Sequence, residues 1–504
     1  MKNTTLALCL LSFLCVSAAP RETSAADSAA KPHQDETARP EPAEGARFPN
    51  FILVMADDWG YGQTGYYNHP ALNTPHLDAM AKNGLRFDRF YAGAPNCSPT
   101  RGTVMTGRTN DRVGVQDHGY PLRLQEHTLG RALRDAGYAT AHFGKWHLNG
   151  YSGPGAPLLK EDERTPDAFG FDTWLSVSNF FDMNPILSRN GEFEEFKGDS
   201  SEIIVDEAIE FIRANKDSGK PFCKVIWYGT PHSPFMALEE DMKAFADLDE
   251  TSQKHYAELV AMDRSIGTLR KALRDLELAE NTVLWVNSDN GGLPRITPGT
   301  VGELRGHKGT VYEGGLRVPA VIEWPAAIKQ ARVTEFPAGT VDIFPTLAEL
   351  AGLPDSVLLQ PQDGISLAAL LTATKNPKTR KKPLGFRHKG RAAWIDNHYK
   401  LVTQNVADGE YELFDLENDT SETTDLAKEK PEVLAKMQKA FEKWNASVDR
   451  SVAGKDYPEG KVTDTKTERE SWPDTELYDQ WRDEWKARPE FQRYLNKTRP
   501  KEKR

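Results

Sequence analysis

The sequence predicts an α/β fold in which a mostly parallel β-sheet is sandwiched by helices, with a smaller C-terminal α+β domain containing an antiparallel sheet. Three observations carry this. Apolar runs at 51–55, 139–143, 222–228, 283–286 and 318–322 are continuous instead of alternating, as strands buried on both faces require. Amphipathic stretches, including 77–83, 129–136, 203–213 and 257–276, separate the runs, so strand and helix alternate along the chain. After residue 382 the pattern changes to short, turn-separated segments at 392–395, 398–403 and 411–416, then a helical stretch at 431–445.

Composition bounds the function. The 504 residues are 38% hydrophobic and 27% charged with 11 Trp, which excludes wholesale disorder. A net charge of -11 argues against a nucleic-acid partner, because such affinity rests on neutralising phosphates. A local cationic cluster can still hold a small anion inside an acidic surface.

Taken in order, residues 1–18 read as a secretory signal peptide: Lys2, a short apolar run at 6–16, then Val16-Ser17-Ala18. The expected location is periplasmic or extracellular, and no later stretch is long and apolar enough for a membrane span. Residues 19–46, rich in Ala, Pro, Glu and Ser, read as a flexible linker. The main domain is expected over 47–383, ending in a basic, Pro-containing linker at 375–383, and the antiparallel subdomain over 384–450. A charged extension, 451–504, carries Trp472, Trp481 and Trp485; the last two are four apart and can form one helical stripe that packs on the main body. Past the leader only Cys97 and Cys223 remain, so no disulfide framework is expected.

In parallel sheets, ligands bind beyond the carboxyl ends of the strands. Asp57 and Asp58 follow the first run, Asp289 and Asn290 the fourth, and His232 the third. Lys145 and His147 follow the second, two apart, and share a face if that segment stays extended. Asp57, Asp58, Asp289 and Asn290 are oxygen donors that suit Ca²⁺ or Mg²⁺ and not zinc. Asp and Asn also cap helices and make turns, the ordinary reading of any one of them alone. Two adjacent pairs, each at a strand end, favour the metal.

Cys97-Ser98-Pro99-Thr100-Arg101 places a cysteine four residues before an arginine. With a helix from Thr100, Cys97 sits at its N-terminus, where backbone N–H groups and Arg101 favour an anion and would activate a thiol. Lys308, in the glycine-bearing stretch Gly306-His307-Lys308-Gly309, can reach an anion there; taken alone it reads as solvated surface. Cys223 lies inside an apolar run and reads as core.

The motif Cys97-x-Pro99-x-Arg101 resembles the maturation signature of the type I sulfatases. Ala56-Asp57-Asp58-Trp59-Gly60-Tyr61-Gly62, Asn73-Thr74-Pro75-His76-Leu77, Gly144-Lys145-Trp146-His147, Pro231-His232, Ser288-Asp289-Asn290-Gly291-Gly292, Lys308-Gly309-Thr310 and Tyr411-Glu412-Leu413-Phe414-Asp415-Leu416 agree with it in order. The similarity spans roughly 48–450 and is nearest the N-acetylgalactosamine-6-sulfatase and arylsulfatase A-like branch.

The resemblance implies an alkaline-phosphatase-like fold and a sulfuric ester hydrolase acting on a sulfated carbohydrate. It implies that a separate maturation enzyme oxidises Cys97 to formylglycine, whose hydrate attacks sulfur to form a covalent sulfo-enzyme. It assigns Asp57, Asp58, Asp289 and Asn290, with position 97, to Ca²⁺ or, alternatively, Mg²⁺. Arg101 would steady the hydrate, and His147 would deprotonate it with help from Lys145. His232 and Lys308 would hold sulfate oxygens, with His232 protonating the leaving alcohol.

Two alternatives remain at this point. One is a phosphonate or phosphate monoester hydrolase on the same fold. The other is a non-catalytic protein that binds sulfated glycans. Asp117, His118, Asn179, Asp182, Arg305 and His307 lie in loops near the motifs and are candidates to line a sugar pocket; ordinary loop polarity accounts for them equally well.

Overall fold

Strand formation follows the apolar runs, and the reason is visible in the first of them. In Asn50–Ala56 every residue is buried. Phe51, Leu53 and Met55 enter one hydrophobic core while Ile52, Val54 and Ala56 enter another on the opposite face, as the two-residue period of a strand dictates. Each fully buried Val, Leu or Ile contributes about 1.5–3 kcal/mol. The structure, a computed structural model, describes residues 48–497. The inferred leader (1–18) and linker (19–46) lie outside the described residues.

Five strands form the parallel centre of an 11-stranded sheet, in the order Thr282–Ser288, Asn50–Ala56, Phe222–Trp227, Ala139–Lys145 and Thr173–Val177. Arg317–Glu323 joins one side antiparallel and Ile186–Arg189 the other, so the sheet is mixed with a parallel middle. One face is covered by Pro75–Ala81, Ser200–Asn215 and Glu250–Asp275, which bury Leu77, Ile204, Ile209, Met262 and Ile266. The other is covered by Cys97–Thr106, Leu129–Asp135 and Ile343–Leu350, which bury Val104, Leu133 and Phe344.

A four-stranded antiparallel sheet follows: Leu384–His388, Arg391–Asp396, Tyr399–Thr403 and Glu412–Asp415. Its first strand starts directly after the basic 375–383 stretch and was not separated from it in the sequence pattern. Phe386, Ile395 and Phe414 share a core with Tyr91, Val311 and Leu316, so the small sheet is pinned beside the rim of the large one. The helix after it extends over Pro431–Val452.

The C-terminal tryptophans pack as one cluster. Trp481 and Trp485 stack on Asp479–Trp485 at 5.6 Å. Trp472, Tyr478, Trp485 and Phe491 bury against Ala156 and Ile186, and Glu470–Ser471 pairs with Tyr151–Ser152. Among the described residues no helix is long and apolar enough to cross a membrane.

Candidate active site

The carboxyl ends of the parallel strands converge, and backbone bonds fix their exits. The Asp57 N–H donates to the Thr230 carbonyl at 2.9 Å and the Asp289 N–H to the Ala56 carbonyl at 3.0 Å. The chain turns sharply at Asp58 (φ 67°) and His147 (φ 55°), a left-handed conformation that non-glycine residues adopt at a cost. Gly291 is forced by space: a Cβ there would lie 1.9 Å from the Gly314 carbonyl oxygen. The expected continuous extension through His147 is corrected here. The strand ends at Lys145, and a turn, not strand alternation, brings His147 to the site.

Asp57, Asp58, Arg101, Lys145, Asp289 and Asn290 are fully buried. Arg101 donates through Nη1 to the Lys145 carbonyl at 2.9 Å and through Nη2 to Asp289 Oδ2 at 2.8 Å. Its guanidinium lies over Trp227 at 5.0 Å. Lys145 Nζ donates to Asp57 Oδ2. Lys308 Nζ donates to Asp58 Oδ2 at 2.8 Å, and Asn290 Nδ2 to Asp58 Oδ1 at 2.7 Å.

Two oxygens in this cluster, Asp57 Oδ1 and Asn290 Oδ1, are buried with no hydrogen-bond partner. Such atoms call for an explanation. Ligand atoms of Asp57, Cys97 and Asp289 lie within 4.8 Å of one another, as do those of Asp57, Asp58 and His232. Burial and the neighbouring Asp57 charge push the Asp289 carboxyl up to about 7. A hard divalent cation would satisfy the orphan oxygens and favour the ionised pair, so the residues present fit a Ca²⁺ or Mg²⁺ ion.

Cys97 opens the helix Cys97–Thr106, with Asn96 as N-cap: Asn96 Oδ1 accepts from Cys97 N at 3.0 Å and from Cys97 Sγ at 3.4 Å. Asn96 Nδ2 in turn donates to Asp117 Oδ1 at 2.8 Å. The expected activation of the thiol is opposed here: burial pushes the Cys97 thiol up, against the charges of Lys145 and Lys308.

The other groups divide by environment. Burial, with Lys145 and Arg101, holds His147 well below the usual imidazole range; both ring nitrogens are buried and unpartnered. These surroundings keep the imidazole neutral and disfavour its protonated form. Burial and Lys308 lower His232 to about 4; Nδ1 lies 2.6 Å from the Ser233 carbonyl and the ring stacks on Phe180 at 4.9 Å. Burial disfavours the Lys308 charge, but Asp58 more than compensates and holds the ammonium above its ordinary range. Burial likewise opposes the Asp57 carboxylate, and Lys145 foremost outweighs it, so Asp57 titrates below the usual carboxylate range.

Above this cluster is a cavity of about 740 Å³ whose lining includes Cys97, His147, His232 and Lys308. Of the sugar-pocket candidates, His118 and Asn179 line it. Asp117 sits behind as the acceptor of Asn96, Lys389 and Arg469, and Asp182 is buried. Arg305 turns away to the Glu422 carbonyl and His307 is exposed outside the cavity. The sequence reading missed Asn96, Phe180, His388, Lys389, Arg391, Ser471 and Tyr494, all in the lining. Asn immediately before a helix is an N-cap signal that was available for Asn96; the rest carry no local signature.

A mixed α/β sheet with this rim defines the alkaline-phosphatase-like class of folds. The sulfatase profile matches residues 49–353, and that of the N-sulphoglucosamine sulphohydrolase C-terminal region matches 305–447. Canine N-acetylgalactosamine-6-sulfatase is 31% identical over 338 residues, covering 60% of this chain and 62% of that protein. Human arylsulfatase A is 33% identical over 375 residues, covering 66% and 70%. The crystal structure of Ps i-CgsB in complex with k-i-k-neocarrahexaose superposes with a TM-score of 0.71 at 26% identity, covering 90% of this chain and 100% of that one. The chain belongs to the sulfatase family, in its arylsulfatase A and N-acetylgalactosamine-6-sulfatase branch.

Proposed function

We propose that this protein is an exported sulfuric ester hydrolase that removes sulfate from a sulfated carbohydrate. The observation that carries the reading is Cys97: it lies at the foot of a roughly sugar-sized cavity, on a helix N-terminus, among Arg101, Lys145 and Lys308. A substrate that is both a sugar and an anion suits that cavity, and the related Ps i-CgsB carries a neocarrahexaose in its crystal structure.

Position 97 acts after a maturation enzyme oxidises Cys97 to formylglycine: one hydroxyl of its hydrate attacks sulfur and displaces the sugar alcohol to give a covalent sulfo-enzyme, and deprotonation of the second hydroxyl expels sulfate and restores the aldehyde. Asp57, Asp58, Asp289 and Asn290 would hold Ca²⁺ (Mg²⁺ is the alternative), which supplies positive charge at the sulfate oxygens when bound. The chain's own residues do the rest. Arg101 and the Asn96 cap orient position 97. His147, neutral and unpartnered, takes its proton, with Lys145 alongside. Lys308 and His232 face the sulfate oxygens, and His232 hands a proton to the leaving alcohol once a bound anion restores its basicity. Preorganised cations of this kind stabilise charge as it develops and are each worth about 10²–10³ in rate.

A two-metal phosphatase is the weaker reading, because Lys145 and Lys308 are already ion-paired with Asp57 and Asp58 where further metal ligands would be needed. The test is the mass and hydrazine reactivity of the residue-97 peptide from protein co-expressed with a maturation enzyme, followed by sulfate release from a panel of sulfated sugars. Formylglycine together with released sulfate is expected. Converted, Ca²⁺-loaded protein that frees no sulfate but cleaves a phosphonate monoester would overturn the reading.

A further inference from the structure

The cavity has a charge pattern that the hydrolysis step does not require. Its lining contains Lys308, Lys389 and Arg391 together with His118, His147, His232 and His388 and, among the described residues, no Asp or Glu. This occurs in a chain of net charge -11. Lys308 belongs to the reacting end, where it pairs with Asp58. Lys389 and Arg391 come instead from the hairpin that joins the first two strands of the antiparallel sheet.

They are held there by a tight hairpin. His388 pairs with Arg391 across the turn, and the two residues between, Lys389 and Gly390, both have positive φ, 51° and 80°. Two left-handed residues in succession make a two-residue hairpin turn. The Gly390 carbonyl accepts from Val406 N at 2.8 Å, which ties the tip to the next loop. Arg391 Nη1 donates to the Gly309 carbonyl at 2.8 Å. The residue before Gly309 is Lys308, so one short loop connects the reacting end to the hairpin tip.

The charges at the tip are only partly neutralised. Lys389 Nζ and Arg469 Nη1 share a single carboxylate oxygen, Asp117 Oδ2, each at 3.0 Å. Arg391 has no ion-pair partner among the described residues, and its one hydrogen bond there goes to a neutral carbonyl. Lys389 keeps a half-exposed side chain. Asp117 is thus shared by Lys389 and Arg469, while Arg391 has no acid of its own among the described residues. Incompletely neutralised cations around a concave, low-dielectric surface concentrate anions, and an arginine fork suits sulfate or carboxylate geometry. The lining residues from the C-terminal extension, Ser471 and Tyr494, are neutral and add no competing charge.

We propose that Lys389 and Arg391 form a second anion subsite, which reads a sulfate or carboxylate carried by the sugar in addition to the ester being cleaved. This deepens the reading given under Proposed function and rests on it for the identity of the sugar. The favoured substrate class is a carbohydrate with at least two anionic groups, one seated at Cys97 and the other at the hairpin tip.

The test uses Ca²⁺-loaded Cys97→Ala protein and calorimetric affinities for three sugars: a monosulfated N-acetylgalactosamine, its disulfated form, and a monosulfated disaccharide carrying a uronate. At least a tenfold preference for one of the two doubly anionic sugars is expected, and which one separates a sulfate-reading from a carboxylate-reading subsite. Arg391→Ala and Lys389→Ala should each cut that preference severalfold and together abolish it, with Arg391→Lys retaining part of it. Each lost cation should also flatten the salt dependence of the affinity, a readout that a folding defect would not mimic. Equal affinity for all three sugars, binding of none, or a preference that survives the double variant would overturn the subsite. Sulfate release by converted wild-type protein without any preference would sink the subsite alone. A preserved binding preference without sulfate release from any sugar would sink the hydrolase reading alone.

Discussion

Trp472→Ala should detach the C-terminal extension from the cavity without unfolding the sheet. Trp472 is 1% exposed, donates from Nε1 to the Pro154 carbonyl at 2.7 Å, and meets Tyr478, Trp485 and Phe491 at ring distances of 4.9, 6.3 and 5.7 Å. Truncating a buried aromatic costs about 3–5 kcal/mol, and a carbonyl left without its donor adds about 1 kcal/mol. About 4 kcal/mol multiplies a locally open population about 10³-fold. The loss falls on the extension, because the cluster around Trp472 joins it to the neighbourhood of Ala156 and Ile186 and contains no residue of the central strands. Hydrogen-exchange mass spectrometry should therefore show faster exchange across 470–495 and unchanged protection in the strands Asn50–Ala56 and Thr282–Ser288. Ser471 and Tyr494 would leave the cavity wall, so KM for a sugar substrate should rise. Unchanged protection of 470–495 would refute the argument, and so would equal loss in the central strands, which would make Trp472 a support of the whole fold.

Three further outcomes are expected. Cys97→Ala should abolish sulfate release while changing stability by no more than about 1 kcal/mol, measured by free sulfate and thermal melts; turnover by that variant would remove Cys97 from the chemistry. Chelation and dialysis should lower the melting temperature and readdition of Ca²⁺ should restore it, by about 2.7 kcal/mol at a hundredfold excess over Kd, with Asn290→Ala losing the response. Lys224 is fully buried, donates to the Ala208 carbonyl at 3.0 Å and lies near Phe211 and Phe222; burial lowers it well below the usual ammonium range. The unfolded chain binds a proton that the folded chain excludes, so stability rises with pH between the two pKa values, by up to about 1.4 kcal/mol per unit. Lys224→Met should remove that slope and raise the melting temperature at neutral pH; an unaltered slope would show that another group causes it.

Legibility differed from residue to residue for physical reasons. The pairs Asp57-Asp58 and Asp289-Asn290 are legible as neighbours because each directly follows a strand, and strand exits on one edge of a parallel sheet must converge. The Trp481 and Trp485 stripe was readable because helical spacing is local. For the Cys97 thiol, a helix N-terminus and a nearby arginine are visible in sequence, whereas the desolvation that opposes activation depends on what covers the residue. His147 was placed by strand alternation, but a left-handed turn delivers it instead.

The amino-acid sequence by itself determined the elements, the parallel order of strand and helix, the family, and the residues that gather at the reacting centre. Those depend on periodicity and on motifs a few residues long. Only the tertiary structure decided what surrounds that centre. Lys389 and Arg391 come from a hairpin nearly three hundred residues after Cys97, and Ser471 and Tyr494 from an extension later still. Their meeting is set by shared cores and long-range pairing, and no local pattern encodes which distant loop will face an open side of a cavity.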